Sequence, residues 1–233
     1  MKQLDVCLSP ELLPLYDLYD KTVVVVDIFR ATSSMVTAFA HGIARIKPVA
    51  DLADCRALRG QDYLTAGERN GIQVEDLDFG NSPYDYQQPT IDGKSLAMTT
   101  TNGTLAIERS KMARQLLIGA FLNLGALADQ LSKQPYDVLI VCAGWKGHVN
   151  LEDTLFAGAL SDRLSSGFQI NSDAALAAQV LYQSAQSDLA GFLSQSSHVA
   201  RLRKLGRQKD ITFCLQTDVY PIVPYLRGDH LVA

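Results

Sequence analysis

Four consecutive valines, Val23, Val24, Val25 and Val26, run without a polar break directly into Asp27. A β-branched run of this kind reads as a strand covered on both faces, as in a parallel sheet held between helices. Asp27 then marks the carboxyl end of that strand. Arg30, Thr32, Ser33 and Ser34 follow within seven residues, and Met35, Val36, Ala38, Phe39 and Ala40 recur at helical spacing. Ligands of open α/β sheets bind outside the carboxyl ends of the strands, and the free N–H groups of a helix start favour anions. The stretch 22–35 is therefore the expected centre of an active site.

The same strand-then-helix pattern repeats along the chain. Strands are predicted over residues 4–8, 22–26, 45–49, 63–66, 96–99, 116–120, 138–143 and 211–215. Ser9-Pro10 opens a short helix to about residue 19, with proline in its first turn. Further helices are predicted after Asp27, ending at Gly42, and over 51–58, where Asp51 is a cap. Others follow Thr104, start near Asn123, span 152–164, and cover 172–205 in three pieces. Residues 70–89 read as a long irregular loop holding Gly80-Asn81-Ser82-Pro83, and loops of that length are usually functional or disordered. Residues 218–225 read as a proline-marked tail. Alternating strands and helices indicate a mostly parallel or mixed sheet with helices on both faces. With no linker and no repeat, one domain over 1–233 is expected.

A net charge of −4 gives the chain no general attraction to nucleic acid or to an anionic membrane, so any anion site is local. Cys7, Cys55, Cys142 and Cys214 are scattered without a C-x-x-C pair, which suggests neither a zinc ribbon nor a disulfide framework. The start, MKQLDVCLSP, lacks the pattern of a signal peptide, and no apolar run approaches a membrane span. A soluble, cytoplasmic protein is expected. A homo-oligomer such as a dimer is compatible with the sequence, although no spacing marks an interface.

Four strand ends carry polar clusters: Asp27/Arg30, Glu68/Arg69, Thr101/Asn102 and Lys146/Glu152/Asp153. In a parallel sheet these ends converge on one edge. Carboxylates, cations and hydroxyl-rich helix starts together suit a magnesium ion bound beside an anion, since magnesium takes oxygen ligands and few protein carboxylates. Arg30, Arg69 and Lys146 could then hold a phosphate. Each cluster also has a plain structural reading. Asp27 could cap a helix, Glu68 and Arg69 could pair on the surface, and Asn102-Gly103 is a common turn. Glu152 and Asp153 suit a helix start through the dipole alone. Asp210 and Asp218 are expected to be structural, as are His41 and His230, while His198, beside Ser196, Ser197 and Arg201, has the most suggestive setting of the histidines.

Three familiar phosphate chemistries are excluded. No G-x-x-x-x-G-K-[ST] loop is present. The D-x-D of aspartyl-phosphate phosphatases fails because Phe29 stands second after Asp27. The C-x-x-x-x-x-R of cysteine phosphatases fails because the position counted from Cys142 is His148.

The strings VVVVDIFRATSSMVTAF, AGERNG, DFGNSPYDY, MTTTNGT, IGAFLN and VCAGWKG…LEDTLFAGAL, in that order, closely resemble the 2-phosphosulfolactate phosphatase (ComB-like) family, with a looser echo in SSHVARL. The resemblance implies a three-layer α/β/α fold and a magnesium-dependent phosphatase that converts 2-phospho-3-sulfolactate to 3-sulfolactate and phosphate, a step of coenzyme M biosynthesis. Such a substrate carries phosphate, carboxylate and sulfonate. On that basis Asp27, Glu68 and Asp153 are expected to hold Mg2+. Arg30, Ser33, Ser34, Thr101 and Asn102 would hold the phosphate, and Arg69, Asn81 and Lys146 the carboxylate or sulfonate. Asp27, Arg30 and Lys146 are the expected catalytic residues. The alternatives are a phosphatase of another phosphorylated hydroxy acid and a non-catalytic sensor of an anionic metabolite.

Overall fold

The computed structural model describes residues 1–170 and 172–233. The valine run is the middle of the architecture. Strand β2 (Thr22–Val26) is buried along its whole length. It lies between β7 (Gln115–Gly119) and β8 (Val138–Cys142), parallel to both, with Val26 opposite Gly119 and Cys142. β8 continues in parallel to β1 (Lys2–Cys7) and then β9 (Phe168–Ile170). Alternate valines face different layers. Val24 and Val26 pack with α4 (Leu124–Lys133), α5 (Leu151–Leu164) and α6 (Asp173–Ala185). Val23 and Val25 pack with α1 (Ala31–Ala40) and α3 (Gly103–Arg109). Helices on both faces of a mostly parallel sheet give the expected three-layer arrangement.

A second parallel block consists of β3 (Arg45–Pro48), β6 (Ser95–Thr99) and β4 (Tyr63–Arg69). A small core of Val49, Cys55, Leu77 and Ala97 covers it under α2 (Leu52–Ala57). The blocks are joined by a hairpin of β10 (Tyr225–Arg227) and β11 (His230–Val232). β10 is antiparallel to β7, and β11 to β3. Three successive reversals set the two blocks running in opposite senses, so their carboxyl ends would lie at opposite edges of a flat sheet. Asp27, directly after β2, and Glu68, on β4, nevertheless line one cavity. Single register pairs, Tyr225 with Leu117 and Leu231 with Ile46, link the hairpin to the two blocks.

Two expectations are corrected. Residues 211–215 are not a strand but lie on α9 (Gln208–Cys214), where Asp210, Phe213 and Cys214 are buried at i, i+3 and i+4. A five-residue apolar run does not distinguish the two by itself. The proline-marked tail is followed by the hairpin, whose turn is Gly228-Asp229, with Gly228 at φ +63°; a Gly-Asp pair between two short apolar runs is a hairpin signal. The predicted strand 63–66 extends to Arg69 and turns back at Asn70-Gly71 into the two-residue strand β5 (Ile72–Gln73). The stretch 172–205 divides into α6, α7 (Leu189–Phe192) and α8 (Ser197–Lys204), with a 3-10 turn before α8. No helix among the described residues is long and apolar enough to cross a membrane.

Candidate active site

The step from strand β2 into helix α1 is fixed by Asp27 and Thr32. Thr32 Oγ1 donates to the Asp27 carbonyl and accepts the Asp27 N–H, both at 3.0 Å, and the Thr32 N–H returns to the same carbonyl. The Asp27 carboxylate receives the Ala31 N–H at 3.4 Å. It points into a cavity of about 20 Å³ also lined by Phe29, Arg30, Glu68, Gly71, Asn81, Asn102, Trp145, His198, Arg201 and Leu202. That volume accommodates one water or ion. A wider groove of about 490 Å³ lies along residues 10–18 and Arg109, but it offers only the exposed Arg109–Glu11 pair, 2.8 Å apart. The small cavity, with two carboxylates and two arginines in its lining, is the candidate site.

Glu68 arrives from the opposing block. Its two carboxylate oxygens accept the Thr101 N–H at 2.7 Å and the Gly71 N–H at 2.6 Å. Gly71 has φ +84°, a conformation that the tight turn after β4 demands. Gly103, the first residue of α3, comes so close that a Cβ there would sit 2.9 Å from Asp27 Oδ2. Arg30 is buried and donates to Asp210 Oδ2 at 2.5 Å and to the Gly71 carbonyl at 2.9 Å. Asp210 also accepts from Ser82 at 2.8 Å, so its expected structural role takes the form of a buried brace.

Several expected site residues are placed differently. The Ser33 and Ser34 hydroxyls are fully buried and donate to the carbonyls of Ile28 and Asn81, so they do not face a phosphate. A hydroxyl inside a helix start finds backbone partners more readily than it projects from the helix. Arg69 ties the Glu68 carbonyl to Thr99 Oγ1 and lies outside the cavity lining. Thr101 contributes its N–H to Glu68, while its hydroxyl is buried without a partner among the described residues. Lys146 sits at the rim, donating from Nζ to Asn70 Oδ1 at 3.1 Å and from its N–H to Asn102 Oδ1. Asp153 takes the Ile28 N–H at 2.8 Å and the Gly144 N–H at 3.0 Å, one on each oxygen. It fastens the ends of β2 and β8 together and does not line the cavity that holds Asp27 and Glu68.

Four further residues complete the site. Glu152, from the start of α5, is fully buried, and its Oε1 lies 2.5 Å from His198 Nδ1 on α8. Trp145 packs against His198 with ring centroids 5.9 Å apart, and the Arg201 guanidinium lies over the Trp145 ring at 3.6 Å. Arg201 Nη2 is buried and unpartnered among the described residues, as are Asn81 Oδ1 and Glu152 Oε2. The available signal was the spacing of His198, Arg201 and Leu202 on one helix face (i, i+3, i+4); nothing local shows that this face closes over Asp27.

The electrostatics favour a cation. Burial raises the Asp27 carboxyl to about 6, with Glu68 and Glu152 adding to the rise while His198 and the Ala31 N–H oppose it. Burial, then Glu152 and Asp27, hold Asp153 far above the usual carboxylate range. Among the described residues no three His, Cys, Asp or Glu side chains enclose a metal. The expected trio does not meet in the cavity, because Asp27 and Glu68 line it and Asp153 does not. A hard cation that takes one or two carboxylates and completes its shell with water and substrate oxygens fits Asp27 and Glu68, with the orphaned Asn81 Oδ1 beside them.

The Asp27 shift fixes a sign for stability. The folded chain holds this proton to about pH 6, whereas an ordinary aspartate releases it near 3.8. The stabilisation is therefore complete below about pH 4 and is lost as pH rises through 6. In chelator-treated solution Asp27→Asn should melt above the wild type at pH 8, and the gap should close by pH 4. Thermal melts at the two pH values check this.

Comparison with known proteins gives a consistent set of relatives. A family model described as 2-phosphosulpholactate phosphatase matches residues 7–229. A protein of Caldanaerobacter subterraneus subsp. tengcongensis named "Probable 2-phosphosulfolactate phosphatase" is 38% identical over 217 residues, covering 91% of this chain and 90% of that protein. Proteins of the same name from Pseudothermotoga lettingae (40% identical; 90% and 91% covered) and Synechocystis (39%; 93% and 92%) are similar to the same extent.

Proposed function

The chain belongs to the 2-phosphosulfolactate phosphatase family of phosphoric monoester hydrolases, and from that premise we propose that it hydrolyses 2-phospho-3-sulfolactate to 3-sulfolactate and phosphate with Mg2+. The observation that carries this reading is the meeting of Asp27, Glu68 and an unpartnered Arg201 in one buried cavity at the strand ends. Asp27 and Glu68, with Asn81 Oδ1, would hold the magnesium. When bound, that ion supplies charge neutralisation and Lewis-acid polarisation of the phosphoryl group.

The protein's own groups divide the remaining work. Arg201 Nη2 offers a free charge-assisted hydrogen bond to a phosphoryl oxygen. Arg30 is largely offset by Asp210, so it adds donors at the wall more than net charge. Lys146, whose N–H meets the cavity-lining Asn102, would bind the carboxylate or sulfonate. Phe29, Trp145 and Leu202 exclude bulk water, which strengthens each charge contact. A cavity of 20 Å³ is too small for the substrate, so its walls must open for entry. Water attacks phosphorus directly in this reading, and the 2-oxygen of sulfolactate leaves. A role in coenzyme M biosynthesis is part of the same proposal.

Phosphate release by purified, chelator-stripped protein tests the reading, with and without Mg2+, on phosphosulfolactate, phospholactate and phosphoglycerate. The reading predicts Mg2+-dependent release, with the sulfonate substrate preferred, because recognition of a charged group by paired donors discriminates strongly. Release that is independent of Mg2+, or absent while anions still bind tightly, contradicts it.

A further inference from the structure

Departure of a 2-alkoxide is the costly part of such a hydrolysis, because an alkoxide is a far stronger base than a phenolate, and none of the roles above supplies it with a proton. We propose that His198 is the catalytic residue that donates this proton, and that Glu152 is the positioning residue that holds its imidazole in place. The inference rests on the phosphatase reading and extends it.

The geometry is that of an oriented acid. Glu152 Oε1 lies 2.5 Å from His198 Nδ1, and both side chains are buried. We assign the Nδ1 proton to the contact with an ionised Glu152; Asn150 Nδ2, an amide donor 3.2 Å from the same nitrogen, then has no lone pair to bond there. Nε2 makes no hydrogen bond within the chain among the described residues, and His198 lines the cavity that holds Asp27. Phe29 meets the ring edge to face at 6.1 Å, and Trp145 covers it at 5.9 Å, so the imidazole has little freedom to turn. The charged groups around the cavity are Asp27 and Glu68 from the strand ends, Glu152 from α5, Arg201 from α8 and the Arg30–Asp210 pair. The Glu152 contact keeps a protonated imidazole in place, as a carboxylate orients histidine in other acid–base sites.

The step balances without a further reactant. The oxygen of water bonds to phosphorus while the bond from phosphorus to the 2-oxygen breaks, and its electron pair stays on that oxygen. The proton on His198 Nε2 passes to it and gives the alcohol. Of the two hydrogens of the attacking water, one stays on the hydrogen phosphate and the other returns to His198 through solvent.

The test compares leaving groups. His198→Asn keeps an amide donor facing Glu152 and removes Nε2. It should lower kcat for phosphosulfolactate or 2-phospholactate by about 10²–10⁴, and the loss on p-nitrophenyl phosphate should be far smaller, since that group departs as a phenolate. Glu152→Gln should give the same selectivity to a lesser degree. Equal losses on both substrate types would assign His198 a purely structural role and overturn the inference. If the variants do not fold, the wild type decides. Its rates over a series of alkyl and aryl phosphates should depend only weakly on the leaving-group pKa, and a steep dependence overturns the inference. A wild type that hydrolyses no monoester overturns the phosphatase reading itself.

Discussion

Asp27→Asn should reduce Mg2+-dependent kcat/KM by at least about 10²–10³, the scale set by removing one preorganised electrostatic group from an active site. The substitution is nearly isosteric. Asn keeps an oxygen for the Ala31 N–H, and the Thr32 contacts that set the strand-to-helix step involve only the Asp27 backbone. The fold should therefore survive, and by the sign argued above the metal-free variant should be the more stable at pH 8. Loss of activity together with a gain in stability separates a functional carboxylate from a structural one. A variant with wild-type Mg2+-dependent turnover would remove Asp27 from the mechanism.

The second large effect concerns the brace behind the cavity. Asp210→Ala should destabilise the protein by about 3–5 kcal/mol, because it leaves the Arg30 guanidinium buried without its counter-ion. Arg30 is 2% and Asp210 4% exposed, so water cannot take over the lost contact. Ser82 Oγ would lose its acceptor as well. The paired change Arg30→Met with Asp210→Leu should cost less than Asp210→Ala alone, since no charge is then stranded. Breaking the solvent-facing Arg56–Asp76 pair should hardly move the midpoint, as is usual for exposed pairs. Urea unfolding of the three variants checks the order. A loss for Asp210→Ala no larger than that for the exposed pair would show that Arg30 finds another partner.

The legible part of the molecule was local. Val23–Asp27 announced its strand and the position of its carboxylate, and Glu68, Asn81 and Asn102 were recognised as polar groups following strands or in a long loop. All four line the cavity. Ser33 and Ser34 misled because a hydroxyl at a helix start reads alike whether it faces a ligand or bonds back to a carbonyl. Asp153 misled for a similar reason, since an acidic residue in the first turn of a helix says nothing of which N–H groups surround it. Glu152 stands in a strand-end cluster and His198, beside Arg201, has the most suggestive setting of the histidines, but distance in the chain hides their meeting with each other and with Asp27. α8 reaches the site only through its packing on the helical layer over β2, where Val199 and Leu202 join the core. The reversal between the two sheet blocks was also beyond local reading, because it depends on a hairpin of two three-residue strands. The family resemblance supplied the reaction class that these residues could only suggest, and the relatives' coverage of about nine-tenths of the chain agrees with it.

Asp27 and Glu68, from strands of opposite sense, would jointly hold the ion that the proposed reaction needs. A crystal grown with Mn2+ in place of Mg2+ and with 3-sulfolactate, read by its anomalous signal, decides this. One peak is expected in the cavity, bound by oxygens of Asp27 and Glu68 and not by Asp153, with Arg201 Nη2 on the bound acid. A peak bound by Asp153, or an ion and product seated elsewhere with the cavity closed, would overturn the joint role of Asp27 and Glu68.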